Sequence, residues 1–202
     1  MPAFIANDIL RLWRTFCVNY EARTARVPSE EKAKGKLKNY KLKHSRLLTC
    51  YSALLYVLAV YCQRQTVTPA DAVEMTRLTP TERLEWLIRQ PDLARAHGKT
   101  SELIDRYERF LHATNKEEKE LVRELMDQKK SQLRMKEAYE FGDVLFEVLT
   151  SLGNGNRFHR LLIVCAPYPR YAATGPSPAV RAIRICSRRW AAASTADSSA
   201  IQ

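Results

Sequence analysis

Sixteen consecutive residues, Leu47 to Cys62, contain only Thr49 and Ser52 besides apolar, tyrosine and cysteine side chains. A segment that is apolar on every face has to be surrounded by other elements or by lipid. A single membrane crossing needs about 20 predominantly apolar residues. This run is shorter, and three tyrosines interrupt it. It is therefore read as the central helix of a bundle, with no membrane partner. Upstream, Tyr40, His44, Leu47, Tyr51, Leu54 and Leu58 recur at alternating four- and three-residue steps, the seam of a long packed helix. That spacing predicts helix two over residues 37–63.

Helices are predicted on both sides of it. On a helical wheel Ile9, Leu10, Trp13, Phe16, Cys17 and Tyr20 fill one arc, and Asp8, Arg11, Arg14, Thr15 and Asn19 the other. Helix one is placed at residues 8–23, capped by Asn7. Val27-Pro-Ser-Glu-Glu reads as a connection that Gly35 loosens further. Thr68-Pro-Ala-Asp71 and Thr79-Pro-Thr-Glu82 each set a hydroxyl cap, a proline at the first helical position and an acid at the third, so each opens a short helix. Leu84, Leu87 and Ile88 are the buried side of the second, with Trp86 as partial cover. Pro91 and Gly98 bracket a predicted loop. Helices follow over residues 101–113, then from an Asn115 cap through Glu137 as an exposed helix with a thin seam, then over 139–152. Gly153-Asn-Gly-Asn156 is the stop.

The expected fold is all-α: a bundle of six to seven helices with a long buried second helix and a core containing Trp13, Leu47, Leu54 and Leu58. Only residues 161–164 hint at a strand. Residues 1–164 are taken as the helical domain. Residues 165–202 differ in composition, with ten alanines, four prolines, five arginines, one acid and no lysine. They are read as a basic tail, disordered or foreign to the natural chain.

The net charge of +11 is concentrated. From Lys32 to Arg46 there are six lysines, one arginine and no acid. Such a field attracts polyanions without choosing among nucleotide, nucleic acid and acidic membrane. Lys38, Lys41 and Ser45 are placed on one side of helix two and Lys43 and Arg46 toward another; Arg11 and Arg14 add cations on helix one. The histidines at 44, 97, 112 and 159 lack ligand spacing, so no metal site is assigned, and His44 reads as a packed histidine. The five cysteines are scattered and odd in number. They fit reduced thiols in a cytoplasmic protein, and no secretory leader opens the chain. Gly153 to Arg157 follows a helix, where the dipole repels anions, and so is not a phosphate loop. The Thr68–Gln90 pair has helix-turn-helix lengths, but Asp71, Glu74, Glu82 and Glu85 would repel DNA.

One further pattern spans residues 4–60 and extends loosely to Val164. Asn7-Asp-Ile-Leu-Arg11, Trp13-Arg-Thr15, Tyr20, Leu37-Lys-Asn39, Lys41-Leu42 and Ser45-Arg46 resemble the helical region that follows the catalytic domain in bacterial proteins with a polymerase-β-like nucleotidyltransferase domain. The resemblance implies a helical domain packed beside a catalytic one, with Arg14, Lys41 and Arg46 facing a shared cleft that holds Mg²⁺ and a nucleoside triphosphate. In that family a Gly-Ser turn and an Asp-x-Asp pair hold the metal. This chain has neither, so no cofactor is assigned to it and no nucleotidyl transfer is expected from it alone. Met1 stands almost at helix one, which leads to the expectation of a truncated protein whose partner is the missing catalytic domain. The candidate phosphate-binding residues are Arg11, Arg14, Lys38, Lys41, Lys43 and Arg46; none is assigned as catalytic. The alternatives are a stand-alone basic helical module that binds nucleic acid, and a helical scaffold without ligand chemistry.

Overall fold

A computed structural model describes residues 2–24 and 29–155. Those residues are helical with short connections, and no strand occurs among them. The order is α1 (Pro2–Thr24), α2 (Ser29–Lys41), a π-helical turn (Leu42–Arg46), α3 (Leu47–Arg64), α4 (Pro69–Arg77), α5 (Pro80–Ile88), a 3₁₀ turn (Pro91–Leu93), α6 (Ala94–Thr114), α7 (Glu118–Met126) and α8 (Gln128–Gly153).

α2, the π turn and α3 run on as one rod through the middle of the bundle. Every residue from Ser52 to Val60 is buried. The rod over Lys32–Arg64 contains a stretch long and apolar enough to cross a membrane, but 67% of that 18-residue stretch is buried inside the bundle. Its apolar surface is thus covered by protein, as the sequence led us to expect. α1 lies antiparallel to the rod: Trp13 meets Tyr51 edge-on at 6.2 Å, and Tyr20 Oη donates to the Gly35 carbonyl at 2.9 Å. α8 runs parallel to the rod, pairing Tyr40 with Glu137 and Cys62 with the Leu152 carbonyl. α6 lies antiparallel to α8. Arg95 donates to the Leu152 carbonyl (2.8 Å), Lys99 pairs with Glu147 (2.7 Å) and Arg106 with Glu140 (3.0 Å).

Both proline-led helices begin as their sequences dictate. Thr68 and Thr79 accept from the third backbone N–H, and Asp71 and Glu82 reach back to the cap N–H. Leu84 and Leu87 are fully buried under α5, and Trp86 covers Tyr56 at 4.4 Å.

Several boundaries differ from the sequence reading. α1 begins near Pro2, so Asn7 is an exposed residue within the helix and caps nothing. Ser29 to Lys41 is helical, so the expected connection is shorter and Gly35 lies inside a helix, where its carbonyl serves Tyr20. Gly98 lies inside α6, because the helix is held along its length against α8. Asn115 is the C-cap of α6, and the helix expected over 115–137 is broken at Asp127. That carboxylate accepts from the Lys130 N–H and starts α8. Trp13 is only half-buried, at the edge of the core that Leu47, Leu54 and Leu58 do fill. α8 ends near Gly153, and the left-handed residue there is Gly155 (φ 79°). The possible strand at 161–164 and the segment 165–202 lie outside the described residues.

Candidate phosphate-facing surface

The basic run folds as α2 and the π turn, and burial sorts its residues. Ala33, Leu37 and Tyr40 turn inward; Leu37 packs on Leu121 and Leu125 of α7, and Tyr40 on Phe110 and Ala138. The exposed positions between 32 and 46 are Lys32, Lys34, Lys38, Lys41 and Arg46, every one a cation. Residues four and three apart lie on one helix face. Lys34, Lys38 and Lys41 therefore form a single outward stripe. The sequence reading named Lys38 and Lys41 and missed Lys34, although the i, i+4, i+7 spacing could have found it.

The six candidates are not brought to one point. Lys38 and Lys41 lie on the stripe. Ser45, expected beside them, is half-buried: its hydroxyl accepts from Tyr107 Oη at 3.4 Å and its carbonyl from Thr49 Oγ1 at 2.7 Å. The cause is the π turn, whose wider winding changes which residues share a face. The Lys43 ammonium is buried over the Tyr139 ring, 4.1 Å from its centroid. Arg46 is exposed but lies over Phe16 of α1, its guanidinium carbon 5.2 Å from the ring centre. Arg14 is two residues from Phe16, hence about 200° further round α1 at about 100° per residue. It stands on a different face from the one that Arg46 covers. Arg11 is exposed on α1 and sits 4.0 Å from Asp8, both side chains more than 70% in solvent, a pair of little consequence.

Several cations elsewhere in the bundle meet acids: Arg64–Asp71 at 2.9 Å, Lys116–Glu120 at 3.1 Å and Arg134–Glu137 at 3.1 Å, besides the α6–α8 pairs. Lys34, Lys38 and Lys41 make no ion pair with any described residue, and no acid occurs from 32 to 46. The face is open. A hollow lined by Leu37, Tyr40, Thr114, Leu121 and Arg134 lies nearby, with room for little more than one water.

Behind the stripe is a polar network that the sequence did not reveal. Tyr40 Oη donates to Glu137 Oε2 at 2.9 Å, and Arg134 pairs with the same carboxylate. Burial raises the Tyr40 phenol well above its usual range, Glu137 adds to this, and Arg134 opposes it. Asn39 is buried, its amide 3.8 Å from Met135 Sδ. Cys50, buried in α3, has its thiol pushed up to about 11 by burial, against the pull of Arg46 and Arg83. It stays protonated and unreactive at neutral pH. Among the described residues no group of three or more His, Cys, Asp or Glu side chains gathers as metal ligands do.

The fold and surface thus define an all-α bundle whose central rod carries a row of exposed cations. Comparison with protein-family models, with curated proteins and with solved structures finds no match.

Proposed function

We propose that this chain is a helical accessory module that presents cations to phosphate at a site completed by a second domain, of the polymerase-β-like nucleotidyltransferase kind. The observation that carries this reading is the exposed stripe Lys34, Lys38 and Lys41, none of which makes an ion pair with a described side chain. In water a charge pair at contact distance is worth only about 1 kcal/mol. An open row of lysines therefore grips a nucleotide phosphate weakly until another surface closes over it. The residue pattern Asn7 to Arg46 supplies the identity of that surface by resemblance.

Lys41 and Arg46 are the phosphate ligands in this reading. Arg46 is held by Phe16, and its planar fork suits phosphate. Arg11 and Arg14, on the outer side of α1, serve docking instead. Mg²⁺ would be held against the nucleoside triphosphate by carboxylates of the second, catalytic domain, since this sequence has no Asp-x-Asp pair. A cytoplasmic setting completes the proposal.

The test is titration of the full chain into a separately purified polymerase-β-like catalytic domain. The expected result is saturable docking and a lower KM for the nucleoside triphosphate, with Lys41→Ala and Arg46→Ala each undoing the KM effect. Absence of docking, or docking that leaves triphosphate binding unchanged, overturns the reading.

A further inference from the structure

We infer that the Lys34–Lys38–Lys41 stripe binds the sugar-phosphate backbone of double-stranded nucleic acid without reading its sequence, so that the macromolecule handled by the proposed assembly is a duplex. The inference rests on reading the stripe as a phosphate-facing surface, and not on the docking of a catalytic domain.

Four observations select this partner among polyanions. All exposed positions from 32 to 46 are lysine or arginine. A helix that lies in a membrane interface needs an apolar face to insert, and this stretch turns its apolar face, Leu37 and Tyr40, into the bundle. Single-stranded nucleic acid is held by bases stacked on exposed aromatic rings. The rings beside this segment are engaged: Tyr20 and Tyr40 are buried, and Phe16 lies under Arg46. Sequence is read in the major groove by bidentate amides and guanidinium groups. The amide of this segment, Asn39, is buried against Met135, and its one guanidinium, Arg46, lies over the Phe16 ring of α1. What remains is a row of point charges, suited to backbone contact alone.

The dimensions agree. Seven residues of helix rise about 10 Å at 1.5 Å each. One strand of a duplex offers a phosphate about every 3.4 Å along its axis, so three lysines meet about three phosphates. Neutralising three phosphates gives a log–log salt slope of about −2.7, or about a 40-fold loss of affinity between 50 and 200 mM salt.

The experiment measures binding of the full chain to short DNA and RNA duplexes of arbitrary sequence by fluorescence anisotropy across that salt range. Circular dichroism verifies the fold of each variant. Binding that is indifferent to sequence is expected. Each of K34A, K38A and K41A should make the salt slope shallower by about 0.9, and the triple variant by about 2.7. The triple Lys→Arg variant, which keeps the charges, should keep the slope. Comparing variants in one chain separates the stripe from the five arginines of residues 165–202. A preference between DNA and RNA names the duplex and supports the inference in either direction. No duplex binding at about 50 mM salt overturns it, as does an unchanged slope in the triple alanine variant. Tighter binding to single strands or to phosphatidylserine vesicles than to duplex also overturns it. A chain that docks on the catalytic domain yet ignores duplex overturns this inference and leaves the proposed function standing.

Discussion

His44 lies flat against Phe110, with ring centroids 4.4 Å apart and planes within 5° of parallel. Tyr40 and Phe141 close two more sides at 4.6 and 4.8 Å. Nδ1 is 2.9 Å from the Tyr40 carbonyl, which can only accept, so Nδ1 carries a hydrogen, and burial favours the neutral ring. The π turn thus places a polar ring where an aromatic cluster needs a flat one, and satisfies its donor locally.

That burial predicts an acid-sensitive fold. Desolvation lowers the His44 pKa to about 4; the Tyr40 carbonyl and Glu137 pull it up, while Lys43 and Arg134 push it down. In the unfolded chain a histidine titrates near 6.5. Between these values the unfolded state binds the extra proton, so stability rises with pH from about 4 to about 6.5 and is then flat as far as this group is concerned. The effect is at most about 3 kcal/mol. Urea midpoints measured across that range should show the slope, and His44→Leu should lose up to one proton's worth of it. An unchanged slope in the variant would place the titration elsewhere.

Arg83 predicts a different kind of cost. Nε donates to the Met75 carbonyl at 2.8 Å, and Nη1 to the Thr49 carbonyl and Ser52 Oγ at 3.4 and 3.3 Å, fastening α5 to α4 and α3. Ser52 is fully buried. Arg83→Ala removes all three of these hydrogen bonds and should destabilise by about 2–3 kcal/mol. Arg83→Lys should recover little, since one ammonium cannot reproduce the fork. Chemical denaturation giving less than about 1 kcal/mol for the alanine variant would contradict this.

These two residues also show what the sequence conveyed. The all-α class was legible because capping boxes and helical periodicity are local: Thr68 and Asp71, or Thr79 and Glu82, settle a helix start within four residues. His44 was read as packed because it falls on the apolar stripe of its helix. The π turn was not legible, since the spacing of Tyr40, His44 and Leu47 suits an unbroken α-helix equally well. Arg83 carries no signal in the sequence, because its acceptors lie in two other helices. Gly98 was taken for a breaker on its own propensity, whereas α6 is stabilised by contacts with α8 that a local reading cannot see. The basic run was visible as a run; which of its cations stay in solvent depends on Tyr139, almost a hundred residues away.

Gly98 yields a stabilising prediction. It lies within α6, is exposed, and an added Cβ would meet nothing within 4 Å. Gly98→Ala should therefore stabilise by about 0.5–1 kcal/mol, mainly by restricting the unfolded chain. The reverse exchange applies at Gln65, which caps α3 in the left-handed region at φ 56°. Gln65→Gly should relieve about 1 kcal/mol of that conformational cost. Thermal midpoints should rise for both, and a fall for Gly98→Ala would mean that α6 is not regular at that residue.

Lys38 and Lys43 share a charge and a run of sequence, yet the structure assigns them opposite duties. Lys38 stands in solvent on the stripe. Lys43 turns inward, its ammonium buried 4.1 Å from the centre of the Tyr139 ring. A buried cation over an aromatic face contributes about 1–2 kcal/mol, and its aliphatic stem packs as well. Lys43→Ala should therefore lower stability by about that amount while leaving the salt dependence of phosphate binding unchanged. Lys38→Ala should leave stability within about 0.5 kcal/mol of the parent and weaken phosphate binding. Paired measurements of the urea midpoint and of affinity at two salt concentrations test both halves at once. If the two variants behaved alike, the sorting of these cations by the π turn would be wrong, and the basic run would be the uniform patch that its sequence suggests.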